Sequence, residues 1–173
     1  ADADLVITPE LAICGYPLRD LLLQSGFVEA CEGAVESLAT AAPDTCVLVG
    51  YPRRDAATGR LRNSVAILRS GVIEASCDKR LLPGYDVFDE DRYFKRGTVC
   101  PVYTINGVGV GVNICEDIWY AVGPIIVQRE AGAEVIVNIN ASPYHAGKGS
   151  FREKMVATRA TDNGLYVAYL NTV

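Results

Sequence analysis

The sequence predicts a layered α/β domain built on mixed β-sheet. Three observations predict it. Two stretches, "RNSVAILRSGVIEASCDK" and "CPVYTINGVGVGVNI", carry hairpin signals and so call for antiparallel pairs. Elsewhere apolar strand-like runs alternate with segments of helical period, as strand–helix–strand units do. Half of the 173 residues are hydrophobic, enough for one sizeable core and too many for a disordered chain.

The elements follow in order. "DLVITPEL" reads as a short buried strand. "PLRDLLLQSGFVEACEGAVESLATAA" places Leu22, Val28, Cys31, Val35 and Leu38 at helical spacing, with Gly26 and Gly33 weakening one unbroken helix. "TCVLVGYP" is a second buried strand. The first hairpin turns at Arg69, Ser70 and Gly71; the second turns at Asn106-Gly107, a pair suited to a type I′ turn. "VGPIIVQREAG" predicts a helix stopped by Gly132, and "AEVIVNIN" another buried strand. "SFREKMVATRATDNG" predicts a helix capped by Ser150 and closed by Asn163-Gly164, before a last strand in "LYVAYLN".

Composition narrows the function. The formal net charge is −5 and the basic residues are scattered, which argues against nucleic acid as the main partner. The apolar runs are far shorter than a membrane span, and no signal-peptide pattern opens the chain. Six cysteines, at 14, 31, 46, 77, 100 and 115, include no CxxC pair, and there is one histidine, so a zinc site is not expected. A chain this long and aliphatic needs no disulfide framework, so the cysteines are read as reduced and the compartment as cytoplasmic. Both ends look cut, and the chain is expected to be part of a longer protein.

Reactive groups in such folds gather at the carboxyl ends of strands. Cys115 ends the valine run of "GVGVGVNICEDIWY", followed by Glu116 and Asp117. Two nearby acids hold a thiol protonated, whereas a turn into a helix N-terminus exposes the thiol and lowers its pKa. The plain alternative is one more buried apolar cysteine. Lys79 ends "GVIEASCDK"; alone it reads as a solvated charge, but beside Cys115 it favours thiolate and steadies an oxyanion. Glu10, flanked by apolar residues in "LVITPELAICGYP", is a candidate general base or a strand-end glutamate facing solvent.

The ordered blocks "TPELAICGYP", "CDKRLLPGYDVFDEDRYF" and "GVNICEDIW" resemble the Glu, Lys and Cys blocks of the nitrilase, or carbon–nitrogen hydrolase, superfamily. "PELAICGYPLRDLL", "LPGYDVFDEDRYF", "ICEDIW" and "NASPYHAGK" are most similar to the glutaminase domains of glutamine-dependent NAD+ synthetases. The resemblance implies an αββα sandwich with mixed sheets, truncated at both ends. Residues 1–173 would form an incomplete glutaminase domain, with the synthetase domain and its ATP and Mg chemistry outside this chain.

It also implies roles. Glu10 takes the thiol proton, Cys115 attacks the glutamine amide, and Lys79 with the Glu116 N–H holds the oxyanion. Ammonia then passes to the synthetase domain, and water resolves the thioester; no cofactor serves this half-reaction. Glu90 matches a second acid that orients the catalytic groups, Glu116 and Ser142 would hold the amino-acid end of glutamine, Tyr16 and Phe88 would line that pocket, and Tyr85 would lie near the nucleophile. Gly84 stands where many relatives carry asparagine. The plain alternatives are core aromatics at Tyr16 and Phe88 and a solvated acidic run from Asp89 to Asp91. Family members associate, so a homo-oligomer is expected.

Three other readings compete. His145, in a loop after "NINASPY", would make a Cys–His dyad with Cys115, though a surface histidine is the better reading. A stand-alone amidase, carbamoylase or nitrilase would use the same triad. A non-catalytic fragment would offer open sheet edges to partners.

Overall fold

The computed structural model describes residues 3–85 and 88–172. Asp86 and Val87, inside the quoted stretch "LPGYDVFDEDRYF", lie outside the described residues. Strands β1 (Leu5–Ile7), β2 (Cys46–Arg54), β3 (Leu61–Arg69) and β4 (Val72–Asp78) form one four-stranded sheet in that order. β1 runs parallel to β2, and the other pairs are antiparallel. Strands β5 (Val102–Ile105), β6 (Val108–Ile114), β7 (Val135–Asn140) and β8 (Tyr166–Asn171) form a second sheet. There β5 and β6 are antiparallel, while β6, β7 and β8 are parallel. Both sheets are therefore mixed.

The sheets stack face to face. Leu48, Val65, Ile67 and Cys77 from the first meet Val110, Val112, Ile114, Val137 and Ile139 from the second. Each such aliphatic side chain removed from water contributes roughly 1.5–3 kcal/mol. Helix α1 (Phe27–Ala41) covers the outer face of the first sheet, setting Val35 and Ala39 on Val47, Val49 and Ala66. A single turn, α2 (Glu90–Tyr93), follows the lysine loop. Helix α3 (Pro124–Glu130) packs Ile125 on Ile136 of the second sheet, and α4 (Lys148–Asn163) lies on α3 and β8. The layer order is αββα.

Both hairpin turns match their dipeptides. Ser70 and Gly71 have φ of 52° and 79°, and Asn106 and Gly107 have 48° and 83°. The first helical stretch is broken at one of the two glycines that weaken it: a 3-10 turn at Arg19–Leu23 precedes α1, and Gly26, with φ 79°, separates them. Two local readings are corrected. β1 is an edge strand, paired with β2 alone among the described residues, and its Val6 is exposed rather than buried. Helix α4 begins at Lys148 behind a left-handed Gly147, and the Ser150 hydroxyl bonds the Gly147 carbonyl instead of capping an amide.

The topology brings the strand ends together. β1 and β4 point the same way within the first sheet, so the segments after them, holding Glu10 and Lys79, leave at one end. In the second sheet the parallel strands β6 and β7 send out Cys115 and Ser142 from their carboxyl ends. Gly50 lets the Glu10 segment lie directly on β2: a Cβ there would run into the Pro9 carbonyl and the Leu11 amide.

Candidate active site

Glu10, Lys79 and Glu90 form one buried charge cluster. Lys79 Nζ donates to Glu10 Oε1 and to Glu90 Oε1, each at 2.7 Å. None of the three side chains is more than 4% exposed. Burial alone would push the ammonium toward neutrality, but Glu10, the Cys115 sulfur and Glu90 together hold its pKa well above the ordinary value. Burial pushes Glu90 the other way, up to about 7, against the pull of Lys79. Glu90 is thus not part of a solvated acidic run; Asp89 and Asp91 face solvent while Glu90 turns inward.

Glu10 is fixed from three directions. Asn63 Nδ2 and Lys79 share its Oε1, and the Ala141 amide donates to Oε2 at 3.1 Å. The last contact comes from the second sheet's side, so this carboxylate bridges the two layers.

Cys115 opens a four-residue 3-10 turn with φ at 47°, a conformation that costs a non-glycine residue roughly 1–3 kcal/mol. The residue is buried, not exposed as an elbow nucleophile would be. Burial and the Glu10 charge push its pKa well above the ordinary thiol value, outweighing Lys79 and the Ser142 hydroxyl, which pull it down. A resting thiol that holds its proton needs a base at hand, and the carboxylate whose charge it feels most is Glu10. Ser142 Oγ lies 3.6 Å from the sulfur.

The two acids after Cys115 do not face the sulfur as hydrogen-bond partners. Glu116 receives the Tyr85 hydroxyl at 2.9 Å and the Tyr120 hydroxyl at 3.1 Å. Asp117 turns back onto backbone amides.

A cavity of about 240 Å³ opens over Cys115. Tyr85, Phe88, Glu116 and Ser142 line it as named from the sequence, together with His145 and Trp119. Lys148 and Arg152 add positive charge to the same wall. Tyr16 does not line this cavity. Its hydroxyl donates to Glu90 Oε1 at 2.9 Å, and its ring stands 6.1 Å from that of Phe88, so it backs the cluster from behind. His145 is solvent-exposed, and the hydrogen-bond partner of the Cys115 sulfur among the described residues is Ser142.

Several contributors escaped the sequence reading. Asn63 steadies Glu10. Asn138 donates to the Cys115 carbonyl at 3.4 Å and to Asn113 Oδ1 at 2.6 Å, and Gln128 receives the Asn113 amide at 3.2 Å. The signal was present: asparagines interrupt the apolar runs "VGVGVNI" and "VIVNIN", and a buried amide is costly unless bonded.

The chain is similar to known proteins in sequence and in fold. The carbon–nitrogen hydrolase family model matches residues 1–173. The glutamine-dependent NAD(+) synthetase of Xanthomonas campestris pv. campestris is 46% identical over 175 residues, covering 99% of this chain and 31% of that protein. The structure of glutamine-dependent NAD+ synthetase from Acinetobacter baumannii in complex with ADP matches with a TM-score of 0.93 at 32% identity, over 99% of this chain and 32% of that one. An amidase from Nesterenkonia sp. shares the fold, with a TM-score of 0.80 at 22% identity over 98% of this chain and 63% of its own. The chain thus spans about a third of the length of the synthetases it matches. With a family match over its whole length and a buried Glu–Lys pair beside a strand-end cysteine, the chain belongs to the carbon–nitrogen hydrolase family.

Proposed function

We propose that this chain hydrolyses glutamine to glutamate and ammonia through a Cys115 thioester, and that the ammonia serves NAD+ synthesis by a synthetase domain of the same protein. The observation that carries the reading is the Lys79 ammonium held 2.7 Å from Glu10, both acting on the charge state of Cys115. Glu10 takes the thiol proton and the sulfur attacks the side-chain amide carbon. The developing oxyanion is stabilised by Lys79 Nζ and the Glu116 N–H, donors of a kind each worth about 3 kcal/mol of barrier. Ammonia leaves with the proton from Glu10. Water then gives a proton to Glu10, attacks the thioester, and releases glutamate as the thiol is restored.

The cavity wall supports an amino-acid substrate. Glu116, already oriented by two phenols, suits the α-ammonium, and Lys148 and Arg152 suit the α-carboxylate, with Ser142 beside the sulfur. This half-reaction needs no cofactor; ATP and Mg belong to the synthetase domain. The reading places the protein in the cytoplasm as a homo-oligomer.

The test measures ammonia release by the full-length protein from glutamine and from simple aliphatic amides and nitriles, and adduct formation by a glutamine-like diazo-ketone. Glutamine is expected to be preferred and Cys115 to carry the adduct. Preference for substrates lacking the α-amino group would point to an amidase, and no adduct on Cys115 to an inert domain.

A further inference from the structure

Asp117 is 1% exposed, yet it belongs to none of the roles above. Its Oδ1 accepts the Arg80 amide at 3.1 Å and the Leu81 amide at 2.8 Å, and its Oδ2 accepts the Ile114 amide at 3.1 Å. Arg80 and Leu81 directly follow Lys79, and Ile114 directly precedes Cys115. One carboxylate therefore ties the backbone beside the ammonium to the backbone beside the sulfur, across 36 residues of chain to Leu81. Lys79's own main chain is bonded elsewhere, to the Asn63 carbonyl and the Gly97 amide, each at 2.8 Å.

A neutral residue would not do the same work. Three amides converge on two oxygens, and an ionised acceptor makes stronger bonds to N–H groups than a neutral one. The cost of burying the charge is visible: burial pushes the Asp117 carboxyl up to about 6, while the Ile114, Leu81 and Arg80 amides and Lys79 pull it down. Such a cost at a position touching neither substrate nor sulfur calls for a function in holding the two loops in register.

We propose that Asp117 is a positioning residue that sets the Lys79 ammonium relative to the Cys115 sulfur for acyl transfer. The proposal rests on the hydrolase reading above. Amide attack places an oxyanion between the two groups, so their spacing enters the barrier. Alkylation of the same thiol by chloroacetamide does not: a C–S bond forms, chloride leaves, the thiol proton passes to Glu10, and no oxyanion arises. A displacement of about 1 Å costs an oriented reaction roughly a hundredfold, and only acyl transfer is exposed to it.

The experiment uses the full-length protein with Asp117→Asn, which sets an NH2 against one of the amide donors. Glutamine turnover per alkylatable Cys115 is expected to fall roughly 30- to 100-fold, while the chloroacetamide rate constant changes by less than about threefold. Counting alkylatable thiol removes any loss of folded protein from the comparison. Leu81→Pro deletes the 2.8 Å donor from the other side and carries the decision where the first variant does not fold; the same split, of smaller size, is expected. Turnover per thiol within about threefold of wild type, or turnover and alkylation falling by one common factor, overturns the proposal. A wild type that turns over some other amide sinks the glutamine reading alone, and the split is then read on that amide.

Discussion

Asn63 Nδ2 donates to Glu10 Oε1 at 2.8 Å, onto the same oxygen that receives the Lys79 ammonium. With the Ala141 amide on Oε2, the carboxylate plane is fixed before substrate arrives. Asn63→Ala removes one of these three donors. It is expected to lower kcat about tenfold and to cost roughly 1–3 kcal/mol of stability. Asn63→Asp sets a like charge against Glu10 and is expected to lose more activity than the alanine variant. Steady-state kinetics and urea unfolding of the two variants check the order.

Lys79→Met leaves Glu10 and Glu90 sharing a buried space without their cation. Breaking a buried pair in this way costs about 3–5 kcal/mol. Protonating a carboxylate relieves the repulsion, so the deficit against wild type is expected to shrink between pH 8 and pH 5. Urea midpoints across that range measure it, and turnover is expected to be abolished at every pH.

Glu90 is held by burial up to about 7, above the ordinary carboxylate value of 4.5. The folded state thus binds a proton that the unfolded chain has released, and the Glu90 contribution to stability falls as pH rises from about 4.5 to 7. Glu90→Gln keeps the shape and removes the titration. The stability difference, wild type minus variant, is expected to fall across that window; the Asp117 titration is common to both and cancels. A difference that rises with pH contradicts the assignment. Turnover is expected to drop roughly tenfold to a hundredfold as Lys79 keeps an oxygen acceptor there but loses one of its two anionic partners.

Cys115 holds its positive φ of 47° by sitting in a fixed turn. Replacing alanine by glycine in ordinary backbone costs roughly 0.5–1 kcal/mol. At this position the sign is expected to reverse, making Cys115→Gly at least as stable as Cys115→Ala. Thermal unfolding of the pair decides, and both variants are expected to be inactive.

His145 lines the cavity but is exposed and makes no bond to the sulfur. His145→Ala is expected to keep most of the turnover. A loss of about a thousandfold or more, the scale on which a base matched to its nucleophile acts, would restore the Cys–His reading.

The elements were legible where local chemistry decides them. Asn106-Gly107 announces its turn, Gly164 ends α4 with φ 63°, and valine runs announce strands. Glu10, Lys79 and Cys115 were legible as strand-end polar residues, though their meeting depends on two sheets stacking, which no local pattern encodes. The state of the thiol stayed open on local sequence for the same reason. From "CEDIW" alone the neighbours of Cys115 are Glu116 and Asp117; in the fold its electrostatic neighbours are Glu10 and Lys79, brought from far along the chain. The bond from Tyr16 to Glu90 was not legible, because an aromatic near a motif says nothing of which carboxylate it supports.

The asparagines of the second sheet have a consequence for assembly. Asn113 on β6 stands opposite Asn138 on β7, with their amides joined and Gln128 closing the row from α3. Sliding β7 by one residue would place Val137 or Ile139 where an amide is required and turn hydrophilic groups into hydrocarbon on the opposite side. The valine and isoleucine repeats on either side offer no such discrimination, since each is a tolerable substitute for the next. The row therefore works as a vernier on an otherwise smooth ruler, and the mark it fixes is the point where β6 ends and the sulfur begins.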